Sequence, residues 1–258
     1  MSTLDEKRVY GERSGRTVAF VATGMGLARV SVSGDLVGEF GLADRRPTSD
    51  VAASSGTLAV ATDEDVLLGA TLAETGFGPA SAVGFDRAGD LLAAGEGRVE
   101  RYADDGTWTE LGECDDVRAL DGDLVAAADG VFRITPDGLT HAGLADARDV
   151  TVRGVPRVAT AKGLYLLGNG WMDDGQGSYR VVTSDGERTH AATDDALLEL
   201  DGETWTRVEL PVSGTVAGVA YGEQLYAVTE DGTFLVEGDD EWHARTLGLP
   251  DVRGVAVP

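Results

Sequence analysis

The segment Val117–Leu144 constrains the chain more than any other. Four short apolar runs follow one another in it, separated by Asp121-Gly122, Asp129-Gly130 and Asp137-Gly138. Asp-Gly accepts the positive φ angles of tight hairpin turns, and each run has the length of a strand rather than a helix. Four antiparallel strands in about 30 residues are the size of one propeller blade.

The unit recurs. A small residue stands just before the turn between the second and third strands at Ala22, Ala61, Ala94, Ala127, Thr160, Ala192 and Val228. A period of about 33 residues fills the chain with seven copies. First strands are expected to run from about Val51, Val83, Val117, Val150, Val181 and Val216. The opening copy offers only three strands, Thr17–Thr23, Leu27–Val32 and Leu36–Gly41, whereas Val252–Val257 looks like a first strand without a blade of its own. A closed ring leaves no long sticky edge. The expectation is an all-β, seven-bladed β-propeller of four-stranded antiparallel blades, closed by Val252–Val257 joining the N-terminal blade. Residues 1–16 read as an N-terminal arm and 17–258 as a single domain. Strand alternation places the second-to-third-strand turns and the blade-to-blade connections on one face, the usual mouth of a central channel.

Charge narrows the function classes. The 258 residues include 45 acids and 21 bases, a net charge of −24, and the only lysines are Lys7 and Lys162. The first fifty residues are balanced, so the rest of the chain carries the whole excess. This excludes a general nucleic-acid surface, which needs a basic footprint. An acidic, lysine-poor surface suits a high-salt cytoplasm, where self-repulsion is screened. The N-terminus lacks the apolar core of a signal peptide, and no apolar run approaches the ~18 residues of a membrane span. Cys114 is a single cysteine and forms no internal disulfide. A cytoplasmic monomer without membrane contact or cofactor is expected.

Catalytic signals are thin. His141, His190 and His243 are not spaced as metal ligands. Cys114 precedes Asp115-Asp116, which disfavours a thiolate. The mouth-side turns Asp63-Glu64-Asp65, Asp194-Asp195 and Glu230-Asp231 could hold a cation, but the general acidity of the chain explains them too, and no metal site is assigned. Trp108, Trp205 and Trp242 share one place early in the outer strand, which suits indoles packed between blades.

Gly168–Arg180 departs from the repeat. After Trp171 the expected apolar outer strand gives way to acids, glycines and a glutamine, so the stretch reads either as a decayed strand or as a Gly-rich binding loop. Read as a loop, it supplies the candidate ligand- or partner-binding residues Trp171, Met172, Asp173, Asp174, Gln176, Tyr179 and Arg180. Trp171 or Tyr179 would be the apolar anchor, Arg180 a fork for a carboxylate or phosphate, and Asp173 and Asp174 acceptors. A loop would contribute few buried contacts, so changes at Asp174 and Tyr179 should cost little stability. Arg45 and Arg46, in the longer connection Asp44–Asp50, are secondary candidates.

Glu6-Lys7-Arg8-Val9-Tyr10, the Gly168–Gly175 segment and the acidic repeats together resemble an uncharacterised haloarchaeal family of seven-bladed β-propellers, over the whole chain. The resemblance implies fold and compartment, and no activity. Asp105-Gly106-Thr107-Trp108 also resembles a degenerate Asp-box blade of sialidase-like propellers.

The functional expectation is a non-catalytic binding or scaffold propeller with a protein partner. The alternative is a sugar- or lactone-directed hydrolase or lyase at the channel mouth. A deep mouth pocket with converging polar groups and perturbed carboxylates would favour the enzyme, and an exposed aromatic patch the scaffold.

Overall fold

The computed structural model describes residues 15–258. The Glu6–Tyr10 segment and nearly all of the expected N-terminal arm lie outside the described residues, and Arg16 already opens the first strand. Among the described residues, twenty-eight strands form seven four-stranded sheets, each antiparallel throughout and arranged as a blade. The seven-bladed propeller is therefore present as expected.

Closure is also as expected. The C-terminal strand Val252–Ala256 pairs with Arg16–Thr23, matching Val21 to Val255 and Ala22 to Gly254. Blade one thus takes its innermost strand from the far end of the chain. In blades two to seven the innermost strands are Thr48–Ser54, Ala82–Phe85, Val117–Asp121, Ala147–Thr151, Tyr179–Ser184 and Val216–Tyr221.

Strand pairing moves the small-residue column by one place in four blades. Thr23, Thr62, Thr193 and Thr229 hold the position that Ala94, Ala127 and Thr160 hold elsewhere. The threonines are there for the turn. Thr23, Thr62, Thr160 and Thr229 each donate a hydroxyl hydrogen bond to a carbonyl across it, to Gly26, Asp65, Gly163 and Thr233. Second strands are the most deeply buried: Leu58–Thr62, Leu91–Gly95 and Leu124–Ala127 are buried throughout. Inner strands crowd the axis so closely that a Cβ on Gly84 would lie 2.1 Å from the Leu120 carbonyl oxygen.

Candidate functional site

Six of the seven innermost strands begin with the same irregularity. The pairing register skips one residue near the mouth: Ser49, Arg118, Arg148, Arg180, Ala217 and Arg253. Blade three alone pairs continuously there. Such β-bulges re-aim side chains at the rims of barrels and channels. Before three of them the backbone turns through the left-handed region at Asp116, Asp146 and Asp251, a conformation that aspartate tolerates better than most residues. Four of the six bulged residues are arginines, and all four line one concavity of about 900 Å³. It opens into a central channel of about 840 Å³ lined by all seven innermost strands. The mouth of an acidic protein therefore wears a collar of arginines.

Most of the collar is tied to the neighbouring chain. Arg118 meets Asp146 at 2.5 Å and the Ala147 carbonyl at 3.1 Å, and its charge holds the Asp146 carboxyl below the usual range. Arg180 donates to Asp194 at 3.1 Å and to Glu230. Arg253 holds Asp251 at 2.8 Å. Arg148 differs. It donates to the Ser178 hydroxyl at 2.9 Å and the Tyr179 carbonyl at 3.4 Å and, among the described residues, forms no ion pair with a carboxylate, although its charge helps to lower Asp146. Ala217 in blade seven, Ser49 in blade two and the unbulged blade three carry no arginine there, so the collar spans four of the seven blades.

Carboxylates line the channel below the collar. Asp50 accepts backbone N–H bonds from Val51 at 2.8 Å and from Val83 of the next blade at 3.0 Å. Asp149 does the same with Val150 at 2.9 Å and Val182 at 2.8 Å. Asp121 accepts from Val152 at 2.8 Å. Each is a latch between neighbouring innermost strands. Protein surrounds them although they face the channel, and this desolvation raises Asp50 to about 6 and Asp149 to about 8, against the pull of their N–H partners.

Of the two readings of the Gly168–Arg180 stretch, the outer strand is the one present, and the Gly-rich loop is not. Trp171–Gln176 is the outer strand of blade five, paired along Gly163–Leu167 with one bulge. Its glycine has a packing reason: a Cβ on Gly175 would sit 2.4 Å from the Tyr179 hydroxyl oxygen. The named candidates separate accordingly. Trp171 packs toward blade four and donates its indole N–H to the Ala142 carbonyl at 2.7 Å. Tyr179 is buried between blades five and six. Asp174 forms a buried 2.7 Å ion pair with Arg157, whose guanidinium lies 5.8 Å from the Trp205 ring centre. Met172, Asp173 and Gln176 are exposed on the flank. Only Arg180 reaches the mouth. The expectation of few buried contacts at Asp174 and Tyr179 is thus corrected: Asp174 pairs with Arg157 two strands away in its own blade, and Tyr179, opening the innermost strand of blade six, packs back against blade five.

Arg46 binds Asp44 and Glu74, each at 2.7 Å, while Arg45 is exposed. The acidic turns are likewise engaged. Asp65 is buried and accepts backbone N–H bonds from Val66, Gly76, Phe77 and Gly78. Asp194 and Glu230 hold Arg180. Among the described residues no group of three or more His, Cys, Asp or Glu could hold a metal ion. Burial, with Asp115 adding to it, pushes the Cys114 thiol up to about 11, which leaves it a poor nucleophile.

A family model described as an HVO_0234-like β-propeller matches residues 3–258. The chain belongs to this HVO_0234-like β-propeller family. A search of the curated proteins found no match. Among solved structures, the extracellular domain of a putative hybrid two-component system, BT3049 from B. thetaiotaomicron, superposes with a TM-score of 0.62 at 13% identity, over 78% of this chain. The HVO_0234-like chain spans only 34% of that one. The computationally designed Ika8 protein superposes with a TM-score of 0.58 at 15% identity, covering 93% of this chain and 91% of its own. At these identities the likeness concerns the fold.

Proposed function

We propose that this HVO_0234-like propeller is a non-catalytic binding protein of a high-salt cytoplasm, and that it takes its partner, a protein, at the arginine-collared mouth rather than on the flank of blade five. The observation that carries this reading is the recurrence of arginine at one bulge position in four blades, around a single concavity. A repeat protein places equivalent side chains on a ring, so a repeated arginine makes a multivalent fork for acidic groups. The mouth does have the depth and perturbed carboxylates expected of an enzyme. However, Asp50 and Asp149 each engage both oxygens with backbone N–H groups, which gives them a structural role as latches between innermost strands. The exposed aromatic patch expected of a scaffold, on a rim or a flank, has no counterpart among the described residues, where Phe40 is the one exposed large aromatic, so the reading rests on the arginines and not on an apolar surface.

Site-specific photo-crosslinking tests the reading. A benzophenone side chain at position 217 in the mouth should trap the partner in its native extract, and one at position 172 on the flank should not. Arg148→Glu should remove the adduct at 217. Equal trapping at 172, or an adduct indifferent to Arg148→Glu, counts against the mouth.

A further inference from the structure

The collar sits in a setting that selects among anions. Around it, on the same face, stand the acidic turns Asp63-Glu64-Asp65, Asp194-Asp195 and Glu230-Asp231. Below it lie Asp50 and Asp149, each within one residue of a collar bulge. A long polyanion crossing the mouth would lay its charges over the acidic turns, so the rim repels it, most strongly at low salt. A single compact acidic group at the centre meets four arginines and three carboxylates, Asp146, Glu230 and Asp251, each of which already pairs with Arg118, Arg180 or Arg253, so Arg148 is the arginine it can engage without displacing one. Below the collar the channel offers small and hydrogen-bonding groups, among them Thr151, Thr183 and Ser184. Its volume lies within the ~300–1,000 Å³ range of small-molecule sites.

We infer that the mouth is a site for one compact phosphate or carboxylate head carried on an uncharged polar stem, with Arg148 as the primary fork, Arg118 and Arg180 flanking it, and the stem entering the channel. This rests on the reading of the mouth as the binding face and adds the chemistry of what is bound. Arg148 leads because, among the described residues, it alone of the four forms no ion pair with a carboxylate, although Asp146 lies near enough to feel its charge. For Arg118, Arg180 and Arg253 a ligand oxygen replaces a carboxylate of the protein itself, and such an exchange gains little net energy. Sugar acids and sugar phosphates share this chemistry, and so does an acidic group displayed by a partner protein.

Titration calorimetry with ribose 5-phosphate, gluconate, glucose and a 20-mer DNA strand tests the inference on the full chain. At least one of the two acid-headed probes is expected to bind in a one-to-one ratio, and neither glucose nor the DNA to bind comparably. Arg148→Gln should weaken that binding about tenfold or more, as expected for a lost charge-assisted bond. Ala217→Glu provides a second variant with little risk to folding, because the same bulge accepts arginine in four other blades. Its added carboxylate should weaken binding at least as much. The inference is overturned if neither acid-headed probe binds at millimolar concentration, if both variants bind like the parent, or if the DNA binds most tightly. Competition separates the sources: an acid-headed probe that displaces the crosslinked partner identifies a partner-borne group, and one that binds without displacement identifies a free small molecule. If trapping at position 217 depends on Arg148 while no acid-headed probe binds, the mouth reading stands and this inference fails. If probes bind in an Arg148-dependent way but trapping is unaffected by Arg148→Glu, the partner reading fails instead.

Discussion

Asp149 sets one carboxylate oxygen against the N–H of Val150 and the other against that of Val182 in the next blade. Burial nevertheless raises it to about 8, far above the unfolded value, with Asp50 and Asp121 adding repulsion. The folded state therefore binds more protons than the unfolded state across the interval between those values. The stability this contributes is full at acid pH and is lost as pH rises through about 8. Asp50, at about 6, acts in the same direction at lower pH. His190 opposes them below its unfolded value, because burial depresses it to about 4. Above about pH 7.5 the histidine is essentially neutral in both states, and between about 6.5 and 7.5 its opposing slope fades, so the aspartates dominate. The melting temperature should fall between about pH 6.5 and 9, and Asp149→Asn should flatten that slope. Losing one acceptor should lower the variant's stability by about 1–3 kcal/mol at the acid end. A parent melting temperature that is level across this interval would show that the latch stays ionised.

At the scale of the strand, the outer strand of blade five shows how far local pattern could be read. Hydrophobic alternation marked most strands, and Asp-Gly marked their turns. Met172-Asp173-Asp174-Gly175-Gln176 carries neither signal, because its inward partners are polar or distant in sequence. Asp174 reaches Arg157, and Gly175 makes room for Tyr179. No local rule reports a partner two strands away in the same blade or on the next one. The expected indole packing did follow from the repeat: Trp108 and Trp171 each donate an N–H to a carbonyl of the preceding blade's outer region, at Thr75 and Ala142. The collar was written in the chain as Asp116-Val117-Arg118, Asp146-Ala147-Arg148, Ser178-Tyr179-Arg180 and Asp251-Val252-Arg253. It passed unread because an apolar-basic pair fits ordinary strand alternation, whereas the bulge that turns the arginine toward the mouth is visible only in the pairing register. Two neighbouring aspartates give a direct test. Asp174→Ala strands a buried guanidinium and should cost about 3–5 kcal/mol, while Asp173→Ala, exposed on the flank, should stay within about 0.5 kcal/mol. Chemical denaturation of the two variants compares these directly, and equal midpoints would return the segment to a loop-like role.

Across the whole molecule, charge acts in two opposite ways. Acids outnumber bases by 24, so the closed ring repels itself, and the exposed ion pairs recover little of that. Salt shortens the reach of this repulsion from about 30 Å at 0.01 M to about 3 Å at 1 M. Screening also weakens the exposed pairs, but each of these is worth at most about 1 kcal/mol, and the uncompensated excess is larger. Stability should therefore rise with potassium chloride and approach a plateau near about 1 M, where the screening length falls below the spacing of surface charges. The collar should respond in the opposite sense, because anion capture by arginines is an attraction that the same ions screen. Thermal melts from about 0.05 to 2 M potassium chloride, with and without an acid-headed probe that binds, separate the two slopes. The unliganded melting temperature should climb while the increment added by the probe shrinks. A melting temperature independent of salt would mean that the acidic surface is already balanced by local pairing, and the high-salt reading of this chain would go with it.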